Sequence, residues 1–193
     1  MTKQLILLRH GRTGLSGRYV GSSDVGLVEE GREQIIRVRS SLVDLGISEV
    51  MCSPMLRCRQ SNDLLDLGVE VVIDNNLREI DFGGWEKKTF AEIVSEAPGL
   101  VDEWAARPAE FAFPNGDSIA EFTARVKAVQ RTIVQSSHNK ILVISHGGVI
   151  RLLICLFLSL HADNYLLFKV AKGKFATLEL FDKGGVLTGL NQV

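Results

Sequence analysis

Residues 5–11 run Leu-Ile-Leu-Leu-Arg-His-Gly, and residues 140–148 run Lys-Ile-Leu-Val-Ile-Ser-His-Gly-Gly. Both are short apolar runs that end on polar side chains and glycine. A run without polar alternation is the pattern of a strand covered on both faces. Apolar residues at Ile35, Val38, Leu42 and Leu45 mark one face of a helix over about 29–45, stopped by Gly46. Ser48–Cys52 is a second strand. Ser53-Pro54 is expected to cap a helix, with proline in its first position, that runs to Gly68. Val69–Ile73 is a third, β-branched strand. Ser118-x-x-Glu121 has the spacing of a capping box for a helix with Ile119, Phe122, Val126, Val129 and Ile133 inward. Residues 147–160 form a largely buried helix, and 175–181 and 186–190 are closing strands. Strands alternating with helices predict a three-layer α/β/α fold with a mostly parallel central sheet. We expect one domain over residues 1–193, with a short irregular or helical lid insertion at roughly 80–116. That segment holds Phe82, Trp85, Phe90, Trp104, Phe111 and Phe113, expected as a satellite hydrophobic cluster first and a substrate wall second.

Lys and Arg total 22, Asp and Glu 23, and the net charge is −1. Such balance argues against a general nucleic-acid binder. Apolar residues are 46% of the chain, enough for a packed core and too many for disorder. The three cysteines, Cys52, Cys58 and Cys155, form no CxxC pair, which fits a reducing compartment and excludes a disulfide framework. The longest apolar stretch, Leu152–Leu160, falls short of the ~20 residues of a membrane span. The expectation is a cytoplasmic protein with no membrane or nucleic-acid partner. The sequence leaves the oligomeric state open, and a homodimer is compatible with it.

Open parallel sheets bind ligands beyond the carboxyl ends of their strands. The first strand there delivers Arg9-His10-Gly11. The second delivers Ser53-Pro54 and, one helical turn on, Arg57. The third leads across a short link to Arg78-Glu79, and the fourth to His146-Gly147-Gly148. Two guanidiniums supply planar forks for phosphate oxygens. A neutral imidazole can attack phosphorus, and a second can stabilise the transferring oxygens. A glutamate can protonate the leaving oxygen and then deprotonate water. A helix starting at Gly147 adds backbone N–H groups. Singly, each residue has a plainer reading. His10 would be a structural or surface histidine, Arg57 a solvated helix residue and Glu79 a surface carboxylate. It is their shared position at strand exits that points to chemistry. His138 and His161 stand in polar or boundary contexts and are bystanders. Cys52 belongs to the core, and Cys58 is expected to face away from Arg57.

Leu8-Arg9-His10-Gly11-x-Thr13 resembles the signature of the histidine phosphatase superfamily, phosphoglycerate-mutase-like branch. The likeness continues through Gly21-x-x-Asp24-x-x-Leu27-x-x-x-Gly31-x-x-Gln34 and Ser53-Pro54-x-x-Arg57-x-x-Gln60. It goes on through Leu77-x-Glu79-x-x-Phe82-Gly83-x-Trp85-Glu86, Gly116-Asp117-Ser118 and Ser145-His146-Gly147-Gly148. By that resemblance His10 is the phosphorylated nucleophile, Arg9, Arg57 and His146 hold the phosphoryl group, and Glu79 is the general acid–base. Thr13, Ser16, Gly21, Ser22 and Gly147 join the set around the phosphate and substrate. The family needs no metal and no organic cofactor. Four positions depart from its pattern: Arg12 where an acid is common, Ser16 where Asn is common, Val28 where a capping Thr is common, and Lys87 where Gly is common. Lys87 could also face an anionic substrate.

The resemblance implies a metal-independent phosphomonoesterase acting on a small phosphate monoester. Mutases of the branch generally carry longer insertions, so hydrolysis is favoured for 193 residues. The Gly17-x-Tyr19-x-Gly21-x-x-Asp24 spelling is similar to the α-ribazole phosphatases of cobalamin assembly. The alternatives are a phosphoglycerate mutase, a broad-specificity sugar-phosphate phosphatase and, from another class, an inactive phosphate-binding module. A metal hydrolase has no HExxH-type spacing behind it.

Overall fold

A computed structural model describes residues 2–193. Six strands form one mixed sheet in the order β3-β2-β4-β1-β5-β6. They are β1 (Lys3–Arg9), β2 (Glu49–Cys52), β3 (Val71–Ile73), β4 (Lys140–Ser145), β5 (Phe175–Phe181) and β6 (Gly184–Gln192). β1, β2, β3 and β4 pair in parallel; β5 runs antiparallel to β1, and β6 to β5. The helices are α1 (Glu29–Val43), α2 (Leu56–Leu65), α3 (Phe90–Glu96), α4 (Pro98–Ala106), α5 (Ile119–Gln135) and α6 (Gly147–Phe157).

The unbroken apolar runs are divided by the period-two geometry of a strand. Leu5 and Leu7 of β1, with Ile141 and Val143 of β4, enter a core shared with α5 and α6. Ile6 and Leu8, with Leu142 and Ile144, enter a second core under α1 and α2. All eight are fully buried, which is why neither strand tolerates polar alternation. In the parallel register Arg9 lies opposite Ser145, and Cys52 opposite Ile144. The exits of β1, β2 and β4 are therefore level with one another at one edge of the sheet.

Several boundaries move from their sequence expectations. α2 starts at Leu56, with Met55 as its cap residue and no side-chain cap. Ser53 does not cap it, because its hydroxyl is engaged with His146. β3 begins at Val71, α6 ends at Phe157, and β6 extends over nine residues. The 80–116 segment takes the helical one of its two expected forms. It contains a 3-10 turn at Gly83–Trp85, then α3 behind a capping box from Thr89, then α4 with proline at its start. Its aromatics are not a satellite: Trp85, Phe111 and Phe113 are buried within the core shared with α5 and α6. Edge-on contacts of Trp85 with Trp104 and Phe113 tie the segment down. The predicted capping box of α5 is present, Ser118 accepting from the Glu121 N–H. Among the described residues, no helix is long and apolar enough to cross a membrane.

Val28 occupies the cap position of α1 in extended backbone and makes no side-chain cap hydrogen bond. Val28→Thr should supply one. We expect stabilisation of about 0.5–1 kcal/mol, read as a higher midpoint of urea unfolding with an unchanged slope.

Candidate active site

The β1 exit turns sharply because Gly11 passes within van der Waals contact of α1. A Cβ on Gly11 would lie 2.3 Å from the Gly31 carbonyl oxygen, and one on Gly31 would lie 2.1 Å from the Arg12 carbonyl oxygen. Both glycines of the motif are thus required by a backbone-on-backbone approach. The turn leaves His10 buried, with Nδ1 2.8 Å from the Gly11 carbonyl oxygen. A carbonyl only accepts, so Nδ1 carries the proton and Nε2 keeps its lone pair. Burial, then the charges of Arg9 and Arg57, hold the His10 pKa well below the ordinary histidine value. His10 is neutral at physiological pH.

Arg57, on the first turn of α2, is 1% exposed. Its Nε donates to His146 Nδ1 at 3.1 Å, Nη1 to the Ser23 carbonyl at 2.9 Å and Nη2 to the Gly21 carbonyl at 2.9 Å. Because Nδ1 of His146 accepts, its Nε2 carries the proton and donates to Ser53 Oγ at 2.8 Å. Burial and the adjacent Arg57 keep His146 neutral as well. The two imidazole rings stand 5.1 Å apart. Cys58 does not face away as expected: its Sγ lies 3.5 Å from His146 Nε2. Burial pushes that thiol well above its usual pKa, so it stays protonated and unreactive.

Glu79 reaches the same edge from the link after β3. Its carboxylate accepts from the Gly148 N–H at 3.0 Å, in the first turn of α6. A Cβ on Gly148 would sit 2.4 Å from Glu79 Oε1, and one on Gly147 would sit 3.0 Å from Arg9 Cζ. The paired glycines after His146 therefore make room for an acid on one side and a guanidinium on the other. Arg9 is anchored by Nη1 donating to the Val170 carbonyl at 2.6 Å, while its Nε is buried without a partner. Among the described residues, no group of three or more His, Cys, Asp or Glu side chains is arranged to hold a metal ion.

One cavity of about 270 Å³ opens over these groups. Arg9, His10, Thr13, Arg57, Glu79, Gly147 and Gly148 line it. His146 stands directly behind that lining and is fully buried. Three expected residues lie elsewhere. Ser16 is exposed and does not line the cavity, although Gly17 beside it does. Gly21 and Ser22 instead build the wall behind it. Their N–H groups donate to Glu86 Oε1, Ser22 Oγ donates to Asp81, and a Cβ on Gly21 would meet the Ile80 carbonyl at 1.8 Å. Lys87 is exposed at φ +63° rather than facing the cavity, a conformation that explains why glycine suits that position. His138 and His161 are exposed and do not line the cavity.

Sequence reasoning missed Arg18, Arg151, Tyr165 and Lys172, all of which line the cavity. Sequence signals could have found two of them. Arg151 is the one charge in the apolar 147–157 helix, and Lys172 sits in the run Lys169-Val-Ala-Lys-Gly-Lys174 before β5. The Gly173 N–H donates to both the Arg9 and His10 carbonyls, which brings Lys172 against the β1 exit. Burial and the positive Arg9 lower the Lys172 pKa to about 8.

A mixed α/β sheet whose parallel exits gather neutral histidines, buried arginines and one carboxylate defines an anion-binding site built for phosphoryl chemistry. The profile of the histidine phosphatase superfamily (branch 1) matches residues 5–193, and the chain belongs to that family. The bifunctional protein Rv2228c of Mycobacterium tuberculosis is 35% identical over 86% of this chain, which spans only 47% of that protein. The adenosylcobalamin/alpha-ribazole phosphatase of Escherichia coli K12 is 29% identical, covering 97% of this chain and 95% of its own. A solved alpha-ribazole phosphatase from Shigella flexneri superposes with TM-score 0.88 at 29% identity, over 98% of this chain and 96% of that one.

Lys172 is charged below pH 8 and neutral above it. Inorganic phosphate, a dianion throughout that range, should therefore bind less tightly as pH rises from about 8 to 9.5, by up to about tenfold. Lys172→Met should bind phosphate weakly and lose this dependence; titration calorimetry across the range reads both.

Proposed function

We propose that this chain is a phosphomonoester hydrolase that needs no metal and works through a phosphohistidine at His10. The observation that carries the reading is the tautomer of His10. With Nδ1–H held on the Gly11 carbonyl, the free Nε2 lone pair belongs to an imidazole kept neutral by burial and by two arginines. Nε2 attacks phosphorus, the ester P–O bond breaks, and the leaving oxygen takes a proton from Glu79. Water then attacks the phosphohistidine as Glu79 takes a proton from it; the P–N bond breaks and inorganic phosphate leaves. Arg9 and Arg57 hold the equatorial oxygens, and His146 supports them through Arg57. Thr13 and the N–H groups at Gly147 and Gly148 complete the cradle.

For the substrate we propose α-ribazole 5′-phosphate, with a place in cobalamin assembly. Two things support this reading: the phosphatases of that name among the relatives, and a cavity side built from Tyr19, Phe82, Trp104, Phe113 and Phe122. Such a wall suits a flat heteroaromatic leaving group. A metabolite panel that includes α-ribazole phosphate and the phosphoglycerates tests the choice; interconversion of phosphoglycerate isomers would replace hydrolase with mutase.

His10→Ala should lower phosphomonoester turnover at least about 10⁴-fold and abolish the acid-labile phosphoprotein. Wild-type turnover should persist in excess chelator. Retention of the phosphoprotein in the variant would overturn the nucleophile assignment. Glu79→Gln should lower kcat/KM, which reads the phosphorylation step, by about 10²–10³-fold for an alkyl phosphate and by less than about tenfold for p-nitrophenyl phosphate, since in that step only the poor leaving group needs its proton.

A further inference from the structure

Most cations at the cavity are already engaged. Arg9 is anchored on Val170, Arg57 on Ser23, Gly21 and His146, and Arg18 on Glu92. Arg151 is not. Its Nε is buried without a hydrogen-bond partner, and no carboxylate pairs with it among the described residues. A guanidinium in this condition inside an otherwise apolar helix is costly unless something else completes it.

Its place in α6 indicates where that partner sits. Arg151 follows Gly147 by four residues and Gly148 by three, so it lies on the same helix face, one turn on. Helical side chains lean toward the N-terminus, and Arg151 lines the cavity one turn beyond the Glu79 and Arg9 side chains that occupy the space over the two glycines. Tyr165, from the 3-10 turn Ala162–Leu167 packed on α6, lines the same cavity. Burial raises the Tyr165 pKa to about 12, so its hydroxyl remains a donor at any physiological pH.

We infer that Arg151 and Tyr165 form a second binding point, on the leaving-group side of the phosphoryl site, for an acceptor oxygen or nitrogen of the substrate, and that an oxyanion fits it best. A guanidinium fork and a phenol are donors only toward such a group, and charge-assisted hydrogen bonds outweigh neutral ones. The inference rests on the phosphomonoesterase reading and refines its substrate class: a small ester whose leaving group carries a carboxylate or comparable acceptor. The ring nitrogen of α-ribazole is a neutral acceptor and would use the same point less strongly.

The test compares phenyl phosphate, 4-carbamoylphenyl phosphate and 4-carboxyphenyl phosphate with the full chain at neutral pH. For the wild type, kcat/KM should rise in that order, the carboxylate gaining at least about tenfold over phenyl phosphate. Arg151→Met should bring the three esters within about twofold of one another, by raising KM for the acceptor esters more than for phenyl phosphate. Arg151→Lys should retain part of the preference, and Tyr165→Phe should reduce it about threefold. Equal kcat/KM for all three esters in the wild type would overturn the inference. So would an Arg151→Met variant that loses the phenyl ester as strongly as the carboxylate. Binding of benzylphosphonate against 4-carboxybenzylphosphonate, followed by calorimetry, reads the same preference without turnover. Absence of hydrolysis with a preserved phosphonate preference would sink the hydrolase reading alone, and equal phosphonate affinities would sink the second binding point alone.

Discussion

The site depends on burying the Arg57 guanidinium with its donors satisfied. An arginine removed from water is tolerated only where each N–H finds an acceptor. Here Arg57 stands on α2 and its acceptors come from two other parts of the chain: the 21–23 loop by its carbonyls and the β4 exit by His146. That one requirement pins the loop, the helix and the strand exit to each other. It also decides the tautomer of His146, since a guanidinium can only donate, and so recruits Ser53 as the acceptor on the far side of the ring. Breaking any one contact would leave a buried donor orphaned and loosen the other two.

Around that anchor the glycines act as clearances. Gly11 and Gly31 let the β1 exit lie against α1, which aims His10; Gly147 and Gly148 let Arg9 and Glu79 both approach the first turn of α6. A Cβ on Gly11 or Gly31 would force the two backbones apart, and one on Gly148 or Gly147 would push back the Glu79 carboxylate or press on the Arg9 guanidinium. The positive groups are thereby concentrated in one small cavity, although the chain as a whole carries −1. Local charge density, rather than net charge, sets which ligands such a protein holds.

Much of this was legible in the residues. The two apolar runs and their exits placed β1, β4, His10 and His146, because strand burial is a local pattern that survives folding. The ordered motifs also brought Arg9, Arg57 and Glu79 to one cavity. Motif membership did not separate residues that touch the cavity from residues that support it. Gly21 and Ser22 are motif positions whose work is to hold Glu86 and Asp81. Ser53 looked like a helix cap because serine before proline has that local preference, and a long-range partner outcompeted it.

The sequence by itself determined the alternation of strands and helices, the buried faces and the strand exits where chemistry belongs. These follow from hydrophobic period and chain direction, which neighbouring residues set. Only the tertiary structure decided which nitrogen of each histidine is protonated, that Cys58 lies against His146, and that Arg151, Tyr165 and Lys172 meet the cavity from distant parts of the chain. Those outcomes depend on hydrogen-bond partners and packing between elements far apart in sequence, and no local pattern encodes which donor will be left without an acceptor.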